Sequence, residues 1–422
     1  MRSVHVLAAV LAIGAGGAAL AASKPATKPA ARPAAPAAAP GRGPAVYWMS
    51  ASTSTGMGGA GGRPNMAAMM SGAYNPNAVT HTLMLQLGSP RRPDGDPSAE
   101  HVPPPELRAG PSLPLLTPVS RPVESGPPMP YQRPEGRMLI FWGCGEHAGP
   151  GQPVVIDYAK LGQGQGGAQM ASLMAAYGNL GGNPPAPGRF TTYGEWPNER
   201  ARTVVPGDGS LTGAHLIRGN YTPDINFSMT PNQDFLPPFQ LTNNAATPSG
   251  ANALAWRRVD GAQAYFANMI GSSGGNTVVM WTSSQVQASG FGMPEYLTSG
   301  DIDRLTASHV LMPAATLSCT IPAEAIRAAG QGGMFNLVAY GDEANFVYPP
   351  KPADPKAAWS PIWTVKVRYR SATSGVLGMN MADMGNSARD NAGGDDDEDQ
   401  PQPQPQPKRR PSGIPGLGGV WP

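Results

Sequence analysis

Proline and glycine set the limits of this fold. The chain carries 49 Pro and 54 Gly among 422 residues, close to the share at which low complexity is suspected. Residues 89–136 begin SPRRPDGDPSAEHVPPPELRAGPSLPLLTP. Proline fixes φ and donates no backbone hydrogen bond, so that stretch excludes a helix or a central strand outside Leu113–Leu116. Between the breaks, the surviving apolar runs have the two-residue period of strands. A mainly β protein with long loops is the expectation.

The strand candidates follow in order. His81–Leu87 sets Leu83, Leu85 and Leu87 against Met84 and Gln86. Arg137–Trp142 is apolar on both sides, the pattern of a strand covered on two faces. Val154–Tyr158 follows it across the turn-rich GEHAGPGQP, which predicts a hairpin. Ile225–Met229 alternates again. Beyond residue 233 come Leu254–Trp256, Tyr265–Ile270, Thr277–Ser283, Thr316–Ile321 and Met334–Tyr340. Trp363–Arg370 places Trp363, Val365, Val367 and Tyr369 on one face and Thr364, Lys366, Arg368 and Arg370 on the other. Pro322 and Gly330 bracket AEAIRAAG as a short helix.

Composition shifts divide the chain. Residues 1–22 have a basic start, an apolar run and the small-residue site Ala19-Leu20-Ala21, the layout of a secretory signal peptide. A Pro/Ala-rich linker spans 23–45. An N-terminal β domain with long Pro/Gly loops spans 46–232, a second β domain spans 233–371, and a disordered tail spans 372–422. The tail's acidic block, Gln-Pro repeat and basic cluster offer little apolar surface to offset ordering. After Ala22 no apolar run reaches the length of a membrane helix, so no transmembrane segment is expected once the leader is removed. A net charge of +2 gives no field for capturing nucleic acid. The expected location is the periplasm, the cell surface or the medium.

The run LAWRRVDGAQAYF (254–266) resembles the second and third strands of a fibronectin type III or related immunoglobulin-like domain. Phe335–Tyr340 is similar to the sixth strand of that family, and Trp363–Arg370 to the seventh. The resemblance implies that the second of two antiparallel β-sandwich-like domains is of this type. Its expected core holds Trp256, Tyr265, Trp281, Phe335, Trp363, Val365 and Val367. Residues 136–146 and 359–371 also resemble an uncharacterised family of exported proteobacterial proteins, which transfers no functional residues.

Candidate chemistry is sparse. In an oxidising compartment, Cys144 and Cys319 either pair, closing a long loop, or remain two separate buried thiols. Cys144-Gly-Glu146-His147 is a poor nucleophile–base or metal site: neighbours in a turn rarely reach one another, and His81, His101, His215 and His309 lack ligand spacing. Met66, Met69 and Met70, with Met379, Met381 and Met384, have soft thioethers spaced to hold Cu(I), or serve as adaptable apolar filler. Glu195, Glu199, Asp301, Asp303, Asp342 and Glu343 are candidates for a glycosidase pair, yet nothing in the sequence brings two together. Trp142, Trp196, Trp281 and Trp359 either stack on sugars or fill a core. Lys366, Arg368 and Arg370, with Arg257 and Arg258, either meet acidic polymers or form a solvated face.

These readings add up to an exported structural or binding module of the bacterial cell envelope. Its expected partner is an envelope protein or polysaccharide, and catalysis is not expected. A periplasmic Cu(I)-binding protein and an envelope glycan hydrolase are the alternatives.

Overall fold

The apolar alternation organises into one broad sheet with two smaller sheets packed on it. The computed structural model describes residues 43–57, 75, 78–118, 136–163, 167, 171, 180–274, 276–288, 293–330 and 333–379. All of these fall within one compact unit, residues 40–422. In chain order the first half contributes β1 (Ala45–Gly56), β2 (Thr80–Ser89), β3 (Ala99–Val102), β4 (Leu113–Pro114), β5 (Arg137–Trp142), β6 (Val154–Asp157), the helical turn α1 (Tyr158–Gly162), β7 (Thr192–Trp196), β8 (Gly213–Gly219) and β9 (Ile225–Met229). The second half contributes β10 (Leu241–Ala246), β11 (Asn252–Trp256), β12 (Ala262–Ser273), β13 (Thr277–Thr282), α2 (Ser299–Ala307), β14 (Met312–Pro313), β15 (Ser318–Ile321), α3 (Ala323–Ala329), β16 (Met334–Tyr348) and β17 (Trp363–Val376).

The large sheet runs β6-β5-β13-β12-β16-β17-β1-β2-β7, with β14 attached to β12. Most neighbours are antiparallel, but β1 lies parallel to β17 and β5 parallel to β13. These two parallel contacts are where the halves of the chain join. Two separate sandwiches meeting near residue 232 were expected. Instead, strands from 46–232 extend both edges of a sheet whose centre comes from 233–371. The cause is long-range pairing, on which local periodicity has no bearing.

One face of the large sheet packs against the four-stranded sheet β4-β3-β8-β9 and the three-stranded sheet β10-β11-β15. A single apolar cluster runs through all three sheets. It contains Trp256, Tyr265, Trp281, Phe335, Trp363, Val365 and Val367 together with Tyr47, Leu85, Ile217 and Phe227. The opposite face is also covered: Phe266 and Val338 pack against Leu297, Ile302, Leu305 and Leu311 from the segment around α2. Strand β5 is covered on both sides, with Met138 and Ile140 in one cluster and Phe141 in another. Helix α3 follows Pro322 and ends at Gly330, whose φ of 65° suits a residue without Cβ.

Cys144, just beyond β5, and Cys319, in β15, form a disulfide. It ties the large sheet to the three-stranded sheet. In the entropic picture, a closed loop of this size stabilises by about 2–5 kcal/mol.

Candidate functional site

The edge of the large sheet beside β7 is interrupted. Glu195 and Leu116 exchange both backbone hydrogen bonds, at 2.9 and 3.1 Å, so the Glu195 N–H and C=O point away from β2. Backbone direction alternates along a strand, so Gly194 and Trp196 face β2, and Leu85 and Leu87 face back at them. The far side of β2 gives the same phase. Ala45 N–H donates to the Ile362 carbonyl, so odd-numbered residues of β1 bond toward β17 and even-numbered ones toward β2.

The Leu83 N–H and C=O therefore point outward from β2, to the β7 side. There β7 has already stopped. Pairing ends with Trp196 opposite Leu85, and the chain returns only at Val205, bridged to His81. Residues 197–204 swing away between those points. Among the described residues no backbone group meets Leu83.

The detour is built locally. Pro197 has no N–H to continue the ladder. The Asn198 side chain accepts from the Arg200 and Ala201 amides and donates to the Pro114 and Glu195 carbonyls, which fixes the loop's start. Gly194 allows the close approach on the outer side of β7. A Cβ there would sit 2.5 Å from the Tyr221 hydroxyl and 2.8 Å from the Leu115 carbonyl oxygen.

The result is a cavity of about 1180 Å³, bordered by His81–Leu83, Glu195, Trp196, the 198–205 loop, Leu116–Pro118 and Asp96. Its polar groups differ in how they are engaged. The Glu195 carboxylate accepts from Tyr193 Oη at 2.6 Å. Arg200 and Arg202 are exposed and have no ion-pair partner among the described residues. His81 stacks on Phe235 at 3.9 Å, and burial holds its pKa below the ordinary histidine value. The buried Trp196 Nε1 and His81 Nδ1 also lack hydrogen-bond partners among the described residues. A roomy concave site with a few convergent polar groups is the usual form of a ligand site.

A second polar cluster lies inside the core. Tyr47 Oη, His101 and His215 form a chain: 2.8 Å from Tyr47 to His101 Nδ1, 2.9 Å from His101 Nε2 to His215 Nδ1, and 2.7 Å from His215 Nε2 to the Leu211 carbonyl. The carbonyl can only accept, so His215 carries its proton on Nε2. His101 must then donate from Nε2, and Tyr47 must donate to His101. Burial lowers both histidine pKa values, His101 well below its ordinary range, and raises that of Tyr47. Both imidazoles are neutral, and the cluster is a clamp between the large and four-stranded sheets.

The remaining candidates are dispersed. Glu195 and Glu199 both line the groove. Asp301 caps α2 through Thr298 and accepts from the Gly181 amide. Asp303 is exposed on α2, Asp342 accepts from Ser299 Oγ, and Glu343 pairs with Lys366 at 2.5 Å. Of the tryptophans, Trp196 and Trp281 are core, Trp142 is half-buried and Trp359 is partly exposed.

The basic stripe is not a uniform solvated face. Arg368 is buried, lies over Trp48 and Tyr296 at 4.6 and 5.0 Å, and donates to the Gly181 carbonyl and Ser50 Oγ. Arg257 and Arg258 are exposed beyond β11. The disulfide removes Cys144 as a nucleophile. His147 instead faces Glu324, whose carboxyl is drawn down to about 2, chiefly by the Ala148 amide.

Met66, Met69, Met70, Met381 and Met384 lie outside the described residues, and Met379 is exposed just after β17. Among the described residues no cluster of three His, Cys, Asp or Glu could hold a metal, and no helix is long and apolar enough to cross a membrane.

Sequence reasoning named Glu195, Trp196 and Glu199 separately and missed the gap they border. The available signal was Trp196-Pro197, a proline ending a strand in the middle of a sheet edge. Compared with protein-family models, curated proteins and solved structures, the chain matches none.

Proposed function

We propose that this chain is an exported binding protein of the bacterial cell envelope, with its ligand taken into the groove beside Leu83. The observation that carries the reading is the interrupted sheet edge: a large cavity flanked by backbone and side-chain groups without partners among the described residues. The export layout of residues 1–22 and the Cys144–Cys319 disulfide support an oxidising compartment. In this reading residues 233–371 are a fibronectin type III-like sandwich. The division of β10, β11 and β15 from β12, β16 and β17 supports it, because immunoglobulin-type folds separate their first, second and fifth strands from their third, sixth and seventh. Strands from 46–232 then widen that sandwich and supply the groove.

Thr82 is exposed and lines the groove, so Thr82→Trp should fill it without touching the core. Envelope-type oligosaccharides and short peptides, titrated separately against the chain and this variant, test the site. Saturable binding of one class that Thr82→Trp abolishes is expected; equal binding by both proteins would remove the groove from consideration. Export is checked by cell fractionation with a thiol count on unreduced, unfolded protein, and two free thiols per chain would count against it.

One observation favours a second reading, glycan hydrolysis: Glu195 and Glu199 share the groove. Product release from the oligosaccharides, lost in Glu199→Gln, would support it. Oligosaccharides that bind and come back intact would end it.

A further inference from the structure

We propose that the groove receives the C-terminal end of a polypeptide, one residue pairing with the Leu83 backbone and the terminal carboxylate meeting Arg200 and Arg202. This deepens the binding reading above and rests on the groove being the ligand site.

The backbone comes first. The Leu83 N–H and C=O point the same way, in the phase that Leu85 and Leu87 use to bind β7. Their complement is one C=O and one N–H at strand spacing. A polypeptide residue in extended conformation presents that pair along one edge. Sugar hydroxyls carry no such fixed pairing.

The length of the gap comes second. Among the described residues, Thr82, Leu83 and Met84 have no strand partner on this side, a span of about 10 Å at roughly 3.3 Å per residue. Trp196 and Val205 close it at both ends. A strand running through would collide with them, whereas a chain terminus can enter from solvent and stop.

The two arginines then choose the terminus. The Arg200 and Arg202 guanidiniums are exposed without ion-pair partners among the described residues. Three carboxylates, Asp96, Glu195 and Glu199, line the same groove, so net charge does not favour an anion. Guanidinium binds carboxylate with two parallel hydrogen bonds that no carboxylate–ammonium contact offers, and that fixed pairing is the ground for preferring the anionic end of a chain. Val204, 71% exposed beside the groove, offers apolar contact to the ligand's side chains.

The experiment is fluorescence anisotropy on the full chain. The probes are an N-terminally labelled, sequence-randomised hexapeptide pool with free carboxyl ends and the same pool amidated. Saturable binding of the free-acid pool is expected, with the amidated pool weaker by about tenfold or more. Arg202→Gln should remove most of that difference while leaving the thermal midpoint unchanged. N-methylating the backbone at alternate residues should abolish binding in one phase and spare it in the other.

Equal affinity for both pools, or indifference to N-methylation, would overturn the proposal. Peptides that fail where oligosaccharides bind in a Thr82→Trp-sensitive way would sink the peptide and keep the groove. Failure of both ligand classes would take the groove reading down as well.

Discussion

Two polar clusters, one in the core and one at the sheet edge beside β2, are built on opposite terms. In the core, Tyr47, His101 and His215 form a closed line in which each proton has an acceptor, ending on the Leu211 carbonyl. At the sheet edge, the Leu83 backbone, Trp196 Nε1 and two arginines have no such partners among the described residues. Polar groups in a dry interior must be satisfied internally or cost about 1–3 kcal/mol each. The histidine chain meets that condition and so belongs to the architecture. The groove defers it to water or to a ligand, and so has the character of a site.

The contrast breaks hardest at His101. His101→Leu leaves Tyr47 Oη and His215 Nδ1 buried without partners, and a loss of about 4 kcal/mol is expected from urea unfolding; a loss under 1 would mean water enters the interface. Acid comes next. Burial keeps His101 and His215 neutral in the folded protein, whereas the unfolded chain takes up protons below the ordinary value near 6.5. The unfolded state then binds more protons, so stability falls as pH falls. The expected loss between pH 6.5 and 5.5 is about 1 kcal/mol from His101, with a smaller one from His215, whose value is lowered less. A flat unfolding midpoint over that range would contradict the neutral assignment.

Tyr47→Phe is milder. It removes one donor, leaves the ring in place, and should cost about 1–2 kcal/mol by the same measurement. At the groove the order inverts. Arg202→Gln should change stability by less than about 0.5 kcal/mol, yet it should remove most of the preference for free-acid over amidated peptides. If it instead destabilises as much as Tyr47→Phe, Arg202 is a structural residue and the two clusters are alike.

Strand placement was largely legible, with two exceptions: β3 lies between β4 and β8 inside the stretch whose prolines argued against a central strand, and β17 runs to Val376, past residue 371 where disorder was expected. The alternation of Leu83, Leu85 and Leu87 marks β2, Arg137–Trp142 and Ile225–Met229 coincide with β5 and β9, and Pro322 and Gly330 bracket α3. These features are local, set by side-chain period and by proline and glycine chemistry. Partnership was not legible. Nothing in Ala45–Gly56 specifies that its neighbours are β2 and the distant β17, so one shared sheet read as two domains. The groove was hidden for a related reason. The Leu83 side chain is core and reads as core, while its importance at the edge lies in backbone groups that look the same in every residue. The histidine chain escaped because His101 and His215 are 114 positions apart and carry no spacing motif.

The parallel contact between β1 and β17 has a further consequence for how the molecule is made. Twelve residue pairs join them, from Ala45 opposite Trp363 to Gly56 opposite Ser374, and hydrogen-bonded groups across the pair are 318 positions apart. A ribosome releases β1 long before its companion exists. Until Trp363 and the residues after it emerge, β5 and β6 can already pair with β13, but β1, β2 and β7 have no place on the central sheet and keep a bare flank. Closure of the sheet on the β1 side is therefore a late event, and a product cut short before that strand would keep β1 unpaired on one flank.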